Sequence, residues 1–279
     1  MKTVETIAEV RDWRAEDADV GLVPTMGFLH EGHLALVRRA KDECRRVAAS
    51  IFVNPSQFDR AADLDSYPRD LERDLSLLEA AGCDLAFVPA AAEIYPPGFQ
   101  TWVDPGAVAA PNEGAHRPGH FRGVATVVLK LFGIFRPRRA YFGRKDAQQL
   151  AVVRALVRDF DLPVEVVGVA TVREPDGLAM SSRNALLSAA DRRAAPVLYR
   201  ALVAAREAWR RGERRAVELL DRVRGVLAEE PAVRVDYLSV ADPDTFEELD
   251  AVRGRAVLSL AAFVGPARLI DNVLIEESH

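Results

Sequence analysis

Val20-Gly21-Leu22-Val23-Pro24-Thr25-Met26-Gly27-Phe28-Leu29-His30-Glu31-Gly32-His33 is the stretch on which the fold turns. Val20–Pro24 reads as a short buried strand, and beyond it Leu34, Val37, Ala40 and Cys44 recur at helical spacing. The same alternation continues outward. Val47–Val53 is an apolar run stopped by Asn54-Pro55, and Leu71, Leu75 and Leu78 line one face of a helix closed by Gly82. Asp84–Val88 reads as a strand, His120–Phe135 as a long apolar helix ended by Pro137, and Ala140–Phe142 as a strand. Gln148–Phe160 is helical in pattern and Val164–Thr171 is a near-continuous apolar strand. Strands apolar on both faces and separated by helices predict a parallel sheet covered on both sides. Residues 1–172 are therefore expected to form a doubly wound α/β domain.

The pattern changes after the turn-rich Arg173-Glu174-Pro175-Asp176-Gly177. Helices are predicted over Ala189–Arg211, capped by Ser188 and carrying Pro196, and over Ala216–Glu229. Strands follow at Val233–Ala241, Ala256–Phe263 and Arg268–Ile275. Helices followed by strands predict a smaller α+β domain over residues 173–279. A length of 279 residues gives the same division, at roughly 150 residues per domain.

Composition excludes several classes. With 49% hydrophobic and 28% charged residues, the chain is neither disordered nor fibrous. The longest apolar stretch, Ala256–Val264, contains Ser259 and falls far short of the about 20 residues of a membrane span. The first residues carry no apolar signal core, and Cys44 and Cys83 have no metal-ligand spacing, so a cytoplasmic enzyme is expected. Lysine occurs only at positions 2, 41, 130 and 145; every other basic residue is arginine. A lysine inside a motif is thus more informative than an arginine.

No Gly-Lys dipeptide, Gly-x-Gly or Gly-x-Ser-x-Gly occurs, so the usual phosphate loops and nucleophile elbow are absent. The opening stretch offers another route. Ligands of doubly wound sheets bind beyond the carboxyl ends of strands. His30 and His33 stand there at a helix start, with Gly32 allowing close backbone approach and the helix amides favouring an anion. The plain alternative is a pair of satisfied cap histidines. Asn54 and Gln57 end the next strand, where neutral amides suit a small polar substrate, or where Asn54-Pro55 is simply a turn. Lys145 sits beside Asp146 at a helix start, suited to phosphate. Ser181, Ser182 and Arg183 can grip a polyphosphate. Glu113–Gly123, Gly-rich and basic, reads as a closing loop or as a surface loop.

Taken in order, these segments resemble the pantothenate synthetase (pantoate–β-alanine ligase) family: Pro24–Gly27 with His30–His33, Phe52–Pro55 with Gln57-Phe58, Tyr67–Arg69, Arg117–Phe121, Gly143 with Lys145-Asp146 and Gln148-Gln149, and Met180–Asn184. The resemblance implies a Rossmann-like nucleotidyltransferase domain of the His-x-Gly-His type, a homodimer, and ATP with Mg2+. It implies that (R)-pantoate is adenylated with release of pyrophosphate and that β-alanine then displaces AMP. Carried over by position, Met26, Gly27, Phe28, Leu29, His30, Glu31, Gly32 and His33 would hold ATP, with His33, His30 and Lys145 catalytic. Gly143, Arg144, Lys145, Asp146, Val172, Met180, Ser181, Ser182 and Arg183 would complete the ATP contacts, and Gln57 and Gln149 would hold pantoate. Magnesium would sit on ATP oxygens with no protein ligand. Arg144 and Ala147 depart from the family pattern, which has Glu or Lys and an aromatic residue there. The remaining readings are a nucleotidyltransferase of the same fold acting on another small substrate, and a nucleotide-binding regulator without turnover. No nucleic-acid or membrane partner is expected.

Overall fold

The computed structural model describes residues 1–15, 17, 19–58, 64, 65 and 67–277. It contains two compact units, Met1–Arg144 with Val152–Ala170, and Lys145–Ala151 with Thr171–His279.

The first unit is built on a six-stranded sheet. Its strands are β1 (Lys2–Val4), β2 (Val20–Thr25), β3 (Arg46–Ile51), β4 (Leu85–Phe87), β5 (Arg139–Gly143) and β6 (Glu165–Val169), in the spatial order β1-β4-β3-β2-β5-β6. All pairings are parallel, as the apolar runs predict. Helices α1 (Ile7–Ala15), α2 (Glu31–Glu43), α3 (Leu71–Ala80), α4 (Ala91–Ile94), α5 (Glu113–His116), α6 (His120–Phe135) and α7 (Ala147–Asp159) alternate with the strands, and the last of these runs across both units. Val20, Leu22 and Val23 are fully buried, as a central strand covered on both faces requires. One face buries Val23, Val37, Ala40, Val47, Ala49, Leu78 and Tyr141 together. Cys44 and Cys83 are free and buried, and burial pushes the Cys83 thiol up to about 11.

The chain leaves β2 towards β3 and β4 on one side, then returns to place β5 against the other side of β2, with Gly21 and Leu22 opposite Arg139 and Ala140. Strand order therefore reverses at β2. In such sheets the two connections leave in opposite directions and open a crevice at the strand's carboxyl end. The Met26–His33 segment emerges there.

The second unit pairs helices α8 (Ala189–Ala194), α9 (Val197–Arg210) and α10 (Ala216–Leu227) with an antiparallel sheet of β7 (Val233–Ala241), β8 (Ala256–Val264) and β9 (Ala267–Ile275). The single helix expected over Ala189–Arg211 is two. Pro196 lacks the amide that would continue the first, and the chain turns at Ala195-Pro196 before α9 begins. Leu198, Leu202, Leu219, Val240, Leu258 and Leu260 form its core.

One close approach in the first unit carries directly to the candidate site. A Cβ on Gly123 of α6 would lie 2.4 Å from the Ser56 carbonyl oxygen and 2.8 Å from the Gln57 nitrogen. Only glycine lets the helix seat against the Pro55–Gln57 turn. Gly123→Ala is expected to cost about 1–3 kcal/mol, as overpacking against a backbone does, read as a lowered midpoint in denaturant unfolding; an unchanged midpoint would refute this packing.

Candidate active site

The turn after β2 is held mainly by one buried carboxylate. Thr25 Oγ1 donates to the Ser50 carbonyl at 2.7 Å and accepts from the Gly27 amide at 3.2 Å. Asp74, reaching in from α3, then accepts from the Phe28 amide through Oδ2 and from the Leu29 amide through Oδ1, both at 2.7 Å. Arg73 donates to the Leu29 carbonyl at 3.0 Å. Gly27 and Phe28 lie in the left-handed region, at φ 81° and 51°. A side chain on Gly27 would also collide with Asp74, whose Oδ2 is 2.9 Å from an ideal Cβ. Burial raises the Asp74 carboxyl above its ordinary value, and the Leu29 and Phe28 amides oppose that shift. Phe28, the non-glycine residue held at positive φ, and Leu29 after it are thus tied to α3 by two charge-assisted bonds.

Helix α2 begins at His30 with a reciprocal cap. His30 Nδ1 accepts from the Gly32 amide at 3.1 Å, and His33 Nδ1 accepts from the His30 amide at 3.3 Å. The two rings lie 4.1 Å apart between centroids. The capping reading of these histidines and the functional one are compatible, because capping uses only one nitrogen of each ring. With each Nδ1 an acceptor, a neutral imidazole carries its proton on Nε2. This is the capping-box logic with imidazoles in both places.

Gln57 is presented to the same turn. Its Nε2 donates to Met26 Sδ at 3.0 Å and its Oε1 accepts from Asn54 Nδ2, also at 3.0 Å. Asn54 is itself fixed: Nδ2 also donates to the Gly123 carbonyl at 3.2 Å, and Oδ1 accepts from the Ser56 and Tyr95 hydroxyls. The Asn54-Pro55 turn is real and organises Gln57 as well. From the other side, His120 Nδ1 donates to the Gln57 carbonyl at 2.9 Å and Arg117 donates to it at 3.3 Å. Arg117 pairs with Glu113 at 3.8 Å. The Glu113–Gly123 segment is therefore structured, with Arg117 and His120 anchored on Gln57.

The Gly143–Asp146 segment divides between the units. In the first, the Arg144 amide donates to the Val169 carbonyl at 2.8 Å and its guanidinium to the Gly168 carbonyl at 3.1 Å. In the second, Lys145 Nζ lies 3.7 Å from Asp146 Oδ1, its side chain largely buried, and Gln149 is half-buried in the first turn of α7. Also in the second unit, Val172 accepts from the Met180 amide at 3.0 Å across a tight hairpin. Ser181 Oγ then caps the 3-10 turn Ser182–Leu186 by accepting from the Arg183 amide at 3.2 Å, with Arg183 exposed. Asp74 and Tyr95 carry no motif that marks them in the sequence, and Arg117 and His120 stand there only as part of the Gly-rich Glu113–Gly123 segment. Asn54, a sequence candidate alongside Gln57, instead fixes Gln57.

A family model described as pantoate-beta-alanine ligase matches residues 1–274. The chain belongs to that family. Pantothenate synthetase from Roseiflexus sp. (strain RS-1) is 57% identical over 277 residues, covering 99% of this chain and 100% of the relative. That from Chloroflexus aurantiacus is 58% identical over 277 residues, covering 99% of each. The crystal structure of pantothenate synthetase from Thermus thermophilus superposes with a TM-score of 0.95 at 52% identity, covering 99% of this chain and 100% of that one. A Francisella tularensis pantoate-beta-alanine ligase, described as complexed with Beta-gamma ATP and Beta-alanine, superposes at 0.82 with 34% identity, covering 100% and 99%. The two-sheet architecture is that of the family, and the chain is an enzyme of this ligase class. No helix among the described residues is long and apolar enough to cross a membrane.

Two outcomes test the local geometry. Asp74→Ala leaves the Phe28 and Leu29 amides without their acceptor and is expected to cost about 1–3 kcal/mol in unfolding experiments, with a raised KM for ATP. Nitrogen-15 NMR of the imidazoles is expected to show the Nε2-protonated tautomer for both His30 and His33; a proton on either Nδ1 would contradict the cap.

Proposed function

We propose that the chain condenses (R)-pantoate with β-alanine to (R)-pantothenate in two steps driven by ATP. In the first, a pantoate carboxylate oxygen attacks the α-phosphorus of ATP, the bond from that phosphorus to the bridging oxygen breaks, and pyrophosphate leaves. In the second, the β-alanine amine attacks the acyl carbon of pantoyl adenylate, AMP leaves with the bonding pair, and the amine gives up a proton. The observation that carries this reading is the reciprocal imidazole cap of His30 and His33 at the amino end of α2, where strand order reverses. Phosphoryl-type transfer asks chiefly for positioning and charge neutralisation, and fixed N–H donors in a preformed turn supply both.

His33 acts on the phosphate oxygens as charge develops and His30 lies beside it, with the Met26–Gly32 backbone against the nucleotide. Gln57, held by Asn54 and turned towards Met26, binds the pantoate polar groups without adding a second negative charge near its carboxylate. In the second unit Gln149 serves pantoate, and Lys145, Ser181, Ser182 and Arg183 serve the phosphates, with Asp146, Val172 and Met180 in the nucleotide contacts. Gly143 and Arg144 contribute backbone, since the Arg144 guanidinium is turned onto the Gly168 carbonyl. Among the described residues no group of three or more His, Cys, Asp or Glu side chains is arranged to hold a metal. Mg2+ would enter with ATP and supply charge neutralisation at its phosphates. The working form is a cytoplasmic homodimer with no nucleic-acid or membrane partner.

A coupled assay decides between this and transfer of a nucleotide to a stable product. Pyrophosphate is expected to depend on pantoate, and steady AMP release on β-alanine as well. His33→Ala is expected to lower pantoate-dependent pyrophosphate release by about 100-fold or more, the scale of removing a transition-state donor, while the protein stays folded and loses only the stability of a helix cap, about 0.5–2 kcal/mol. Wild-type-like turnover in that variant, or a stable nucleotidylated product, would defeat the reading.

A further inference from the structure

The last strand of the second unit does more than close its sheet. On β9, Asn272 Nδ2 donates to the Lys145 main-chain carbonyl at 2.7 Å. Its neighbour Asp271, 3% exposed, takes Arg173 in a two-pronged ion pair at 2.7 and 2.9 Å and accepts the Asn272 amide at 2.8 Å. Arg173 stands in the Val172–Met180 hairpin, where it also donates to the Gly177 carbonyl at 3.0 Å and stacks 3.6 Å over the Tyr199 ring. Two adjacent residues of one strand thus grip both segments of this unit that bear phosphate-directed side chains. The same ties explain why Lys145–Ala151 groups with the second unit, although β5 before it belongs to the first. An ion pair this buried is costly to form and contributes little net stability. Its geometry, locked by five hydrogen bonds donated by Arg173 and the Asn272 amide, is of the kind that fixes position.

We propose that Asn272, braced by the Asp271–Arg173 pair, is a positioning residue for the adenylation step, setting where the Lys145 ammonium stands by holding that residue's main chain. The proposal rests on the reading of Lys145 as a phosphate-directed group. Asp271 is the brace in this arrangement: it orients the Asn272 backbone and holds the hairpin that leads to Ser181–Arg183. The Lys145 charge is also felt at Asp271, where it opposes the upward push of burial on the carboxyl, behind the larger contribution of Arg173.

The test separates the two half-reactions. Asn272→Ala and the near-isosteric Asn272→Asp, which puts an acceptor opposite the Lys145 carbonyl, are compared with wild type in pantoate-dependent pyrophosphate release, in aminolysis of supplied pantoyl adenylate by β-alanine, and in ATP binding by calorimetry. Misplacement of a reacting group by about 1 Å costs up to roughly 100-fold, so both variants are expected to lose about 10- to 100-fold in pyrophosphate release. Aminolysis is expected to stay within about twofold of wild type and ATP affinity to weaken. Adding Asn272→Ala to Lys145→Ala is expected to cause no further loss, since the two act through one group. Wild-type-like pyrophosphate release in a folded variant, equal loss in both half-reactions, or multiplicative losses in the double variant would each overturn the proposal. If Asn272→Ala does not fold, Asn272→Asp carries the comparison. Wild-type protein that releases no pantoate-dependent pyrophosphate would refute the functional reading instead. In that event ATP affinity still decides the positioning, with an affinity in Asn272→Asp equal to wild type counting against it.

Discussion

Parallel pairing of β2 with β3 on one side and β5 on the other imposes the condition that the rest of the first unit meets. A parallel strand cannot turn straight back into its neighbour; the chain must cross a face of the sheet in a helix and re-enter at the other end. Where successive crossings depart on opposite sides, the space over the central strand's carboxyl end stays open and is lined by main-chain amides. The Met26–Leu29 turn lies over β2 in that space. Because its amides cannot all pair within a sheet or a helix, something else must satisfy them, and Asp74 and Thr25 do so.

Charge around that turn is a local matter. A net charge of −5 over the whole chain is unpromising for a polyanionic ligand, yet the ligand meets only nearby groups. Near the turn the negative charge of Asp74 is directed inward onto two amides, while the neutral side chains of Gln57 and Asn54 are locked against each other. In the second unit the negative charge of Asp271 is likewise taken up by Arg173. Each carboxylate therefore orders the chain with its charge turned onto the protein's own amides and guanidinium.

Much of this could be read from the sequence, and the parts that could not have a common reason. The central strands are apolar on both faces, so their runs stand out, and the His-x-Gly-His stretch is a local pattern. The family resemblance carried the roles of Lys145, Gln149 and Met180–Arg183, which spacing alone left open. Three-residue β1 and short α1 carry too little periodicity to stand out. Pro196 is plain in the sequence, but whether it starts a helix or divides one depends on the packing of α8 and α9. Asp74, His120 and Asn272 act on partners 46, 63 and 127 positions away. Such pairings exist only once the sheet has brought distant segments together, so no window along the chain contains them.

The reciprocal cap also says something about side-chain choice. This chain uses arginine almost everywhere it needs a cation, yet the start of α2 carries two imidazoles, His30 and His33. A guanidinium or ammonium has donors only. Set at position 30 or 33 it would bring more positive charge and nothing for the Gly32 or His30 amide to bond to, and the first turn of α2 would unravel. Imidazole alone among the basic side chains faces both ways at once, accepting from the helix with one nitrogen and donating outward with the other. The helix terminus, rather than the ligand's charge, dictates the residue.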